Sequence, residues 1–234
     1  MKTTHKRRRQ GFTLVELLVV IIIIASLAAL AYPGILRARK KADANTATSN
    51  ARQIGTALFE FDNEYSSFPD STTAQSVIDQ TGTTLNLSGS SANDMFRQLI
   101  AAGMMPSEEV FYAKTPYTKK PDNVYNTGAK ALEAGECGFG YLMNGNAAFS
   151  TSGNSRPIVV TPLLNAQTDG SFDPDPFDSK AVVLHTDNSV KQLNIRQNDK
   201  RVVLGNKTLT DTGDDTVWGS NIQNVTIVAP LKRN

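Results

Sequence analysis

Two histidines and one cysteine bound the side-chain chemistry open to this 234-residue chain. His5 stands in a basic stretch at the start. His185 sits in the apolar run Lys180-Ala-Val-Val-Leu-His-Thr186, where a packed or rim histidine is expected rather than a general base. A Ser-His-Asp or Cys-His arrangement would need His185 beside a nucleophile. The sequence carries no G-x-S-x-G, no H-E-x-x-H and no phosphate-binding loop motif, so no enzyme is expected. Cys137, in Gly135-Glu-Cys-Gly-Phe-Gly140, reads as a small buried residue. Being alone, it allows neither an intrachain disulfide nor a cysteine-based metal site. One metal candidate stands out. Asp169, Asp173, Asp175 and Asp178 place four carboxylates in ten residues, and calcium favours such oxygen ligands on a loop. Their spacing is not that of an EF-hand, and Asp-Pro pairs are also ordinary turn chemistry. A second acidic turn, Asp211-Thr-Gly-Asp214-Asp215, is a lesser candidate.

The remaining reactive group is Glu16, and its surroundings make it conspicuous. Residues 12–32 are 21 residues of nearly unbroken apolar sequence. As a helix they cover ~30 Å, about one hydrocarbon core. Helix is the only solution for a single segment in lipid, so it prevails over the β preference of Ile21 to Ile24. A carboxylate near the bilayer centre costs ~2.5–3.5 kcal/mol on insertion scales, and the span holds no cation to offset it. Cutting the chain between Gly11 and Phe12 supplies one. The new α-amine lies four residues from Glu16, on the same helix face or on a neighbouring subunit. Such a pair is favourable in low dielectric only when both charges are held close. Two other readings compete: an uncleaved signal anchor, and an ordinary signal peptide cut after Ala29-Leu30-Ala31, before Tyr32.

Charge supports a membrane segment. The 24 basic and 22 acidic residues give +2, but Lys2, Lys6, Arg7, Arg8 and Arg9 all precede Gly11, with no acid among them. Without those five, 19 basic residues face 22 acidic ones, a net charge near −3. The basic start reads as a cytoplasmic flank. The rest has no electrostatic footprint for nucleic acid, and none is expected as a partner.

Gly11-Phe12-Thr13-Leu14-Val15-Glu16 after a short basic leader resembles the prepilin processing motif of type IV pilins and type II secretion pseudopilins, nearest to the major pseudopilins. The family also tends to carry a proline at position 22 of the processed chain, where this sequence has Pro33. The resemblance covers residues 1–69 well and is looser beyond. It implies cleavage by prepilin peptidase between Gly11 and Phe12, N-methylation of Phe12, and pairing of Glu16 with the amino terminus of an adjacent subunit. It further implies assembly with copies of itself or other pilin-like subunits on a bacterial inner-membrane platform. The anchor would be single-pass, with the head in the periplasm or at the cell surface. Major pseudopilins also carry a calcium loop late in the sheet, which bears on Asp169–Asp178. The alternative is a secreted or signal-anchored binding or enzymatic domain released near Ala31.

These residues need elements to hold them. Four regions follow: a leader over 1–11, the membrane half of a long helix over 12–33, its soluble half over 34–68, and a loop-rich head over 69–234. Pro33 predicts a kink, because proline removes an intrahelical bond and crowds the preceding turn. Beyond it, Ala47, Ala51, Ile54, Leu58, Phe61 and Tyr65 recur at helical spacing as one stripe, which Ser66-Ser67-Phe68-Pro69 ends. Arg37, Arg39, Lys40 and Lys41 lie early on this helix and Glu60, Asp62 and Glu64 late, a polarity suited to staggered subunits. Thr72 to Ser91 reads as a surface loop with one short turn, and Asn93-Asp94 as the cap of a short helix stopped by Gly103. Strands are expected at Pro157–Pro162, at Arg201–Leu204, at Gln223–Ala229 and in a hairpin turning at Asp187-Asn188. Helices first and strands later give an α+β fold: a long amino-terminal helix on a carboxy-terminal antiparallel sheet, as in pilins.

Overall fold

The computed structural model describes residues 13–128 and 130–233. The chain divides into two units, one through Arg39 and one from Lys40 onward. A single helix, α1 (Leu14–Tyr65), enters both, and its assignment is unbroken across Pro33 and Gly34. Proline has no N–H, so the helix passes through with one bond fewer. In the second unit the stripe is buried as expected: Ala47, Ala51, Ile54, Leu58 and Phe61 are each at most 1% exposed, and Ala44, one step earlier, joins them. Tyr65 is half-buried and stacks on Phe61, with ring centroids 4.4 Å apart. Ser66, at φ 63°, turns the chain out of the helix.

The stretch expected as a loop holds a second helix, α2 (Thr73–Thr81). Thr, Ser, Val and Asp give it little intrinsic drive, so its ends and its packing decide. Asp70 Oδ1 accepts the backbone N–H groups of Thr72 (2.7 Å) and Thr73 (3.1 Å), satisfying donors that the first turn leaves free. Ala74 and Val77 are buried, and Gly82, at φ 64°, closes the last turn by donating to the Ile78 carbonyl. The third helix, α3 (Ala92–Ala101), starts earlier than expected. Ser91 is its N-cap, in a reciprocal box with Asp94. Asn93 is thereby freed for tertiary work. Gly103, at φ 75°, stands beyond the helix end as expected.

Five strands form one antiparallel sheet: β1 (Gly140–Asn144), β2 (Pro157–Thr161), β3 (Lys180–His185), β4 (Val190–Asn194) and β7 (Val225–Val228), in the order β4-β3-β2-β1-β7. β5 (Val203–Leu204) and β6 (Lys207–Thr208) pair separately. Strands β1 to β3 are buried along nearly their whole length, so their apolar runs do not alternate. β4, at the edge, is half-exposed and carries Lys191, a charge that guards an edge strand against further pairing.

The β3–β4 hairpin turns through Asp187 and Asn188 and lies against α1. Gln192 Nε2 donates to Asn45 Oδ1 (3.2 Å) and Thr48 Oγ1 (3.0 Å), and Asn188 Nδ2 to Thr56 Oγ1 (3.3 Å). The approach is closest at Gly55, where a Cβ would lie 2.1 Å from Asn188 Oδ1 and 2.9 Å from Leu184 Cδ1. Gly55→Val should therefore cost about 1–3 kcal/mol of unfolding free energy through overpacking. Gly34→Ala, with open space around it, should leave that unit's stability unchanged. Denaturant melts of the two variants side by side check this, and equal midpoints would refute the contact.

The described residues of 106–139 contain only a 3₁₀ turn at Glu109–Phe111 as regular structure, yet Phe111, Ala131, Leu132 and Cys137 are fully buried. Buried backbone without a ladder needs other partners, and α3 provides them. Asn93 Nδ2 donates to the carbonyls of Leu132 (2.9 Å) and Glu133 (3.1 Å), and Arg97 Nε donates to that of Ala131 (2.6 Å). Arg97 also pairs with Asp94.

Candidate functional site: the amino-terminal helix

Glu16 lies in the first turn of α1, and Thr13 caps that turn. The Thr13 N–H and hydroxyl both donate to Glu16 Oε2 at 2.8 Å, and the Glu16 N–H donates back to Thr13 Oγ1 at 3.3 Å. This reciprocal box satisfies donors that a helix start leaves open, and the positive end of the helix dipole favours the carboxylate. Thr13-x-x-Glu16 is itself a legible capping signature, passed over because the apolar run beginning at Phe12 dominates the reading. Both bonds end on Oε2. Among the described residues Oε1 has no partner, so one oxygen remains for an intermolecular contact.

The helix that carries Glu16 has one window long and apolar enough to cross a membrane, and none of that window is buried. Leu14 to Ile24 stand exposed along its length. Inside that window Ser26 donates its hydroxyl to the Ile22 carbonyl at 2.8 Å, so this side chain's donor is satisfied within the helix. Gly11 and Phe12, the expected cleavage and methylation positions, lie outside the described residues.

The other candidates fall into place around the second unit. His185 is buried, with Nδ1 3.3 Å from the Ser189 carbonyl. Burial, and next the charge of Lys191, hold its pKa below the ordinary range. Cys137 is fully buried, its thiol pushed up to about 12 by burial, a poor nucleophile. The structure does not gather Asp169, Asp173, Asp175 and Asp178 as a ligand set. Asp169 accepts from the N–H (2.9 Å) and hydroxyl (2.8 Å) of Ser171, and Asp173 from the N–H of Asp175 (3.0 Å), which are local turn bonds. Among the described residues the carboxylates brought within ligand reach of one another are Glu108, Asp122 and Glu136. Their spacing of fourteen residues gives no motif to find. The one sequence clue is Glu136, a charge set between Gly135 and Cys137 at the head of a run that becomes buried strand.

Residues 6–32 match the family model described as the prokaryotic N-terminal methylation motif. The chain is 41% identical over 61 residues to type II secretion system core protein G of Aeromonas hydrophila, covering 25% of this chain and 43% of that protein. It is 40% identical over 67 residues to type II secretion system core protein G of Escherichia coli (strain K12), covering 28% of this chain and 45% of that protein. The chain thus spans less than half the length of either relative. No solved structure matches it. The methylation motif covers the start of the apolar helix that bears Glu16, and the likeness to each core protein G relative extends over about a quarter of this chain.

Proposed function

We propose that the protein is a structural subunit of a type II secretion pseudopilus or a closely similar type IV pilus-like filament. The observation that carries this reading is the pairing of a fully exposed, span-length apolar helix with one carboxylate in its first turn. A helix that is apolar all round needs lipid or other such helices about it. The precursor inserts in the bacterial inner membrane with residues 1–11 in the cytoplasm and the carboxy-terminal unit in the periplasm. Prepilin peptidase cuts between Gly11 and Phe12 and methylates Phe12. An inner-membrane platform then draws subunits together, and helices pack laterally as Glu16 meets the Phe12 amine of a neighbour. The role is mechanical, and no catalysis is assigned to the chain.

Mass spectrometry of the amino terminus of the mature protein tests this most directly. The expected result is an N-methylated Phe12. A mature chain beginning at Tyr32 would instead establish an ordinary signal peptide and a released domain, and would end the filament reading.

A further inference from the structure

We infer that Glu108, Asp122 and Glu136 form a binding site for a hard divalent cation, calcium, which ties together the irregular segments of residues 106–139. One carboxylate oxygen from each of the three lies within 4.8 Å of one from each of the others. Calcium–oxygen bonds of ~2.3–2.6 Å put ligands on opposite sides of one ion ~4.6–5.2 Å apart, so a single ion reaches all three. Glu108 and Glu136 are 0% exposed while Asp122 is exposed, so the site opens to solvent on one side.

A second, independent observation singles out this cluster. Glu108 Oε1 accepts the Leu132 N–H at 2.5 Å, but Oε2 of the same buried carboxylate has no hydrogen-bond partner. A buried carboxylate oxygen left unpaired is costly, and natural structures rarely keep one without an unseen water, ion or proton. The three acids also face too little positive charge. Lys119 lies 3.5 Å from Glu136, but it sits closer to Glu133, at 2.8 Å, which Lys130 also pairs at 2.7 Å. Among the described residues neither Glu108 nor Asp122 forms an ion pair with a lysine or arginine.

The frame around the cluster is built before any ion arrives. Asn123 Oδ1 accepts from Ser107 Oγ (3.0 Å) and the Glu108 N–H (3.1 Å), joining the first segment to the second. Glu136 accepts the N–H groups of Asp122 (3.3 Å) and Glu133 (2.7 Å), joining the second to the third. All three side chains offer oxygen, which suits calcium or magnesium rather than zinc or copper. Calcium tolerates six to eight ligands in flexible geometry, as irregular backbone supplies, whereas magnesium demands a near-ideal octahedron. The site stands apart from the filament reading: a chain cut at Tyr32 keeps all three carboxylates.

The test follows thermal unfolding of the full chain in detergent through its one tryptophan, Trp218, which is buried. Calcium at a hundredfold excess over Kd should raise Tm by about 5–10 °C relative to EDTA. The solvent-exposed change Asp122→Asn, and Glu108→Gln, should each weaken calcium binding at least tenfold, while Asp173→Asn should leave it unchanged. The inference is overturned if calcium at about 10 mM produces no shift in the parent chain. It is equally overturned if both cluster variants keep the shift, or if Asp173→Asn removes it. A calcium-insensitive parent that gains stability as acid protonates Glu108 would show the three carboxyls sharing a proton instead.

Discussion

A chain carrying Glu16→Leu should reach the membrane at least as well as the parent, be processed to the same methylated Phe12, and form no filaments. The two halves of this result pull in opposite directions, which is why it is informative. Removing the carboxylate makes insertion easier by as much as ~2.5–3.5 kcal/mol if the residue lies near the bilayer centre. Assembly loses the partner of the new amine, and an ammonium left unpaired between helices is costly. Sheared filament yield should fall more than tenfold, with membrane-bound subunit unchanged. The cap complicates the reading, because Glu16 also accepts two bonds from Thr13. Glu16→Gln separates the roles. Glutamine still completes a capping box at this position, but it carries no charge. Filaments from Glu16→Gln at the parent level would assign Glu16 to capping alone.

Glu16 was legible because it is an anomaly: one carboxylate in a span of apolar residues asks for a counter-charge. The stripe from Ala47 to Phe61 and the β3–β4 hairpin were legible because a period or a turn pair lies wholly within a short window. What escaped depends on bonds reaching out of the window. The start of α2 is secured by Asp70, which also reaches Ala148, 78 residues away. The path that buries Ala131 and Leu132 exists because Asn93 and Arg97 satisfy the carbonyls of residues 131–133 from 34 to 40 residues upstream. Glu108, Asp122 and Glu136 converge only once that path is set. Reading Asn93 as a helix cap assigned its side chain to the nearest use, and the fold employs it at a distance, where its Oδ1 also accepts the Leu231 N–H at 2.8 Å.

Asp70 is the position where a single substitution should cost the second unit most. It is 5% exposed. Oδ1 accepts from Thr72 N–H (2.7 Å), Thr72 Oγ1 (2.6 Å) and Thr73 N–H (3.1 Å), and Oδ2 from Ala148 N–H (3.2 Å). Asp70→Ala leaves three backbone donors without their acceptor, two at the start of α2 and one in the loop after β1. Each buried donor left unpaired costs about 1–3 kcal/mol, so with partial relaxation the loss should be on the order of 3 kcal/mol. Denaturant unfolding of the full chain in detergent measures it, and a change below about 0.5 kcal/mol would refute the role. The pH dependence gives a second handle. Burial alone would raise the Asp70 pKa, but the bonds from the Thr72 hydroxyl and from the Ala148, Thr73 and Thr72 amides outweigh it and hold it below the ordinary value. A carboxyl with a depressed folded pKa stabilises fully above its unfolded pKa of about 3.9. That stabilisation is lost as pH falls through the unfolded value toward the folded one. Asp70→Asn should therefore lie between parent and Asp70→Ala at pH 7, and its deficit against the parent should shrink below about pH 4. Asparagine keeps an acceptor oxygen but no charge, so a deficit that stayed constant with pH would mean that Asp70 acts by shape and hydrogen bonding without its ionisation.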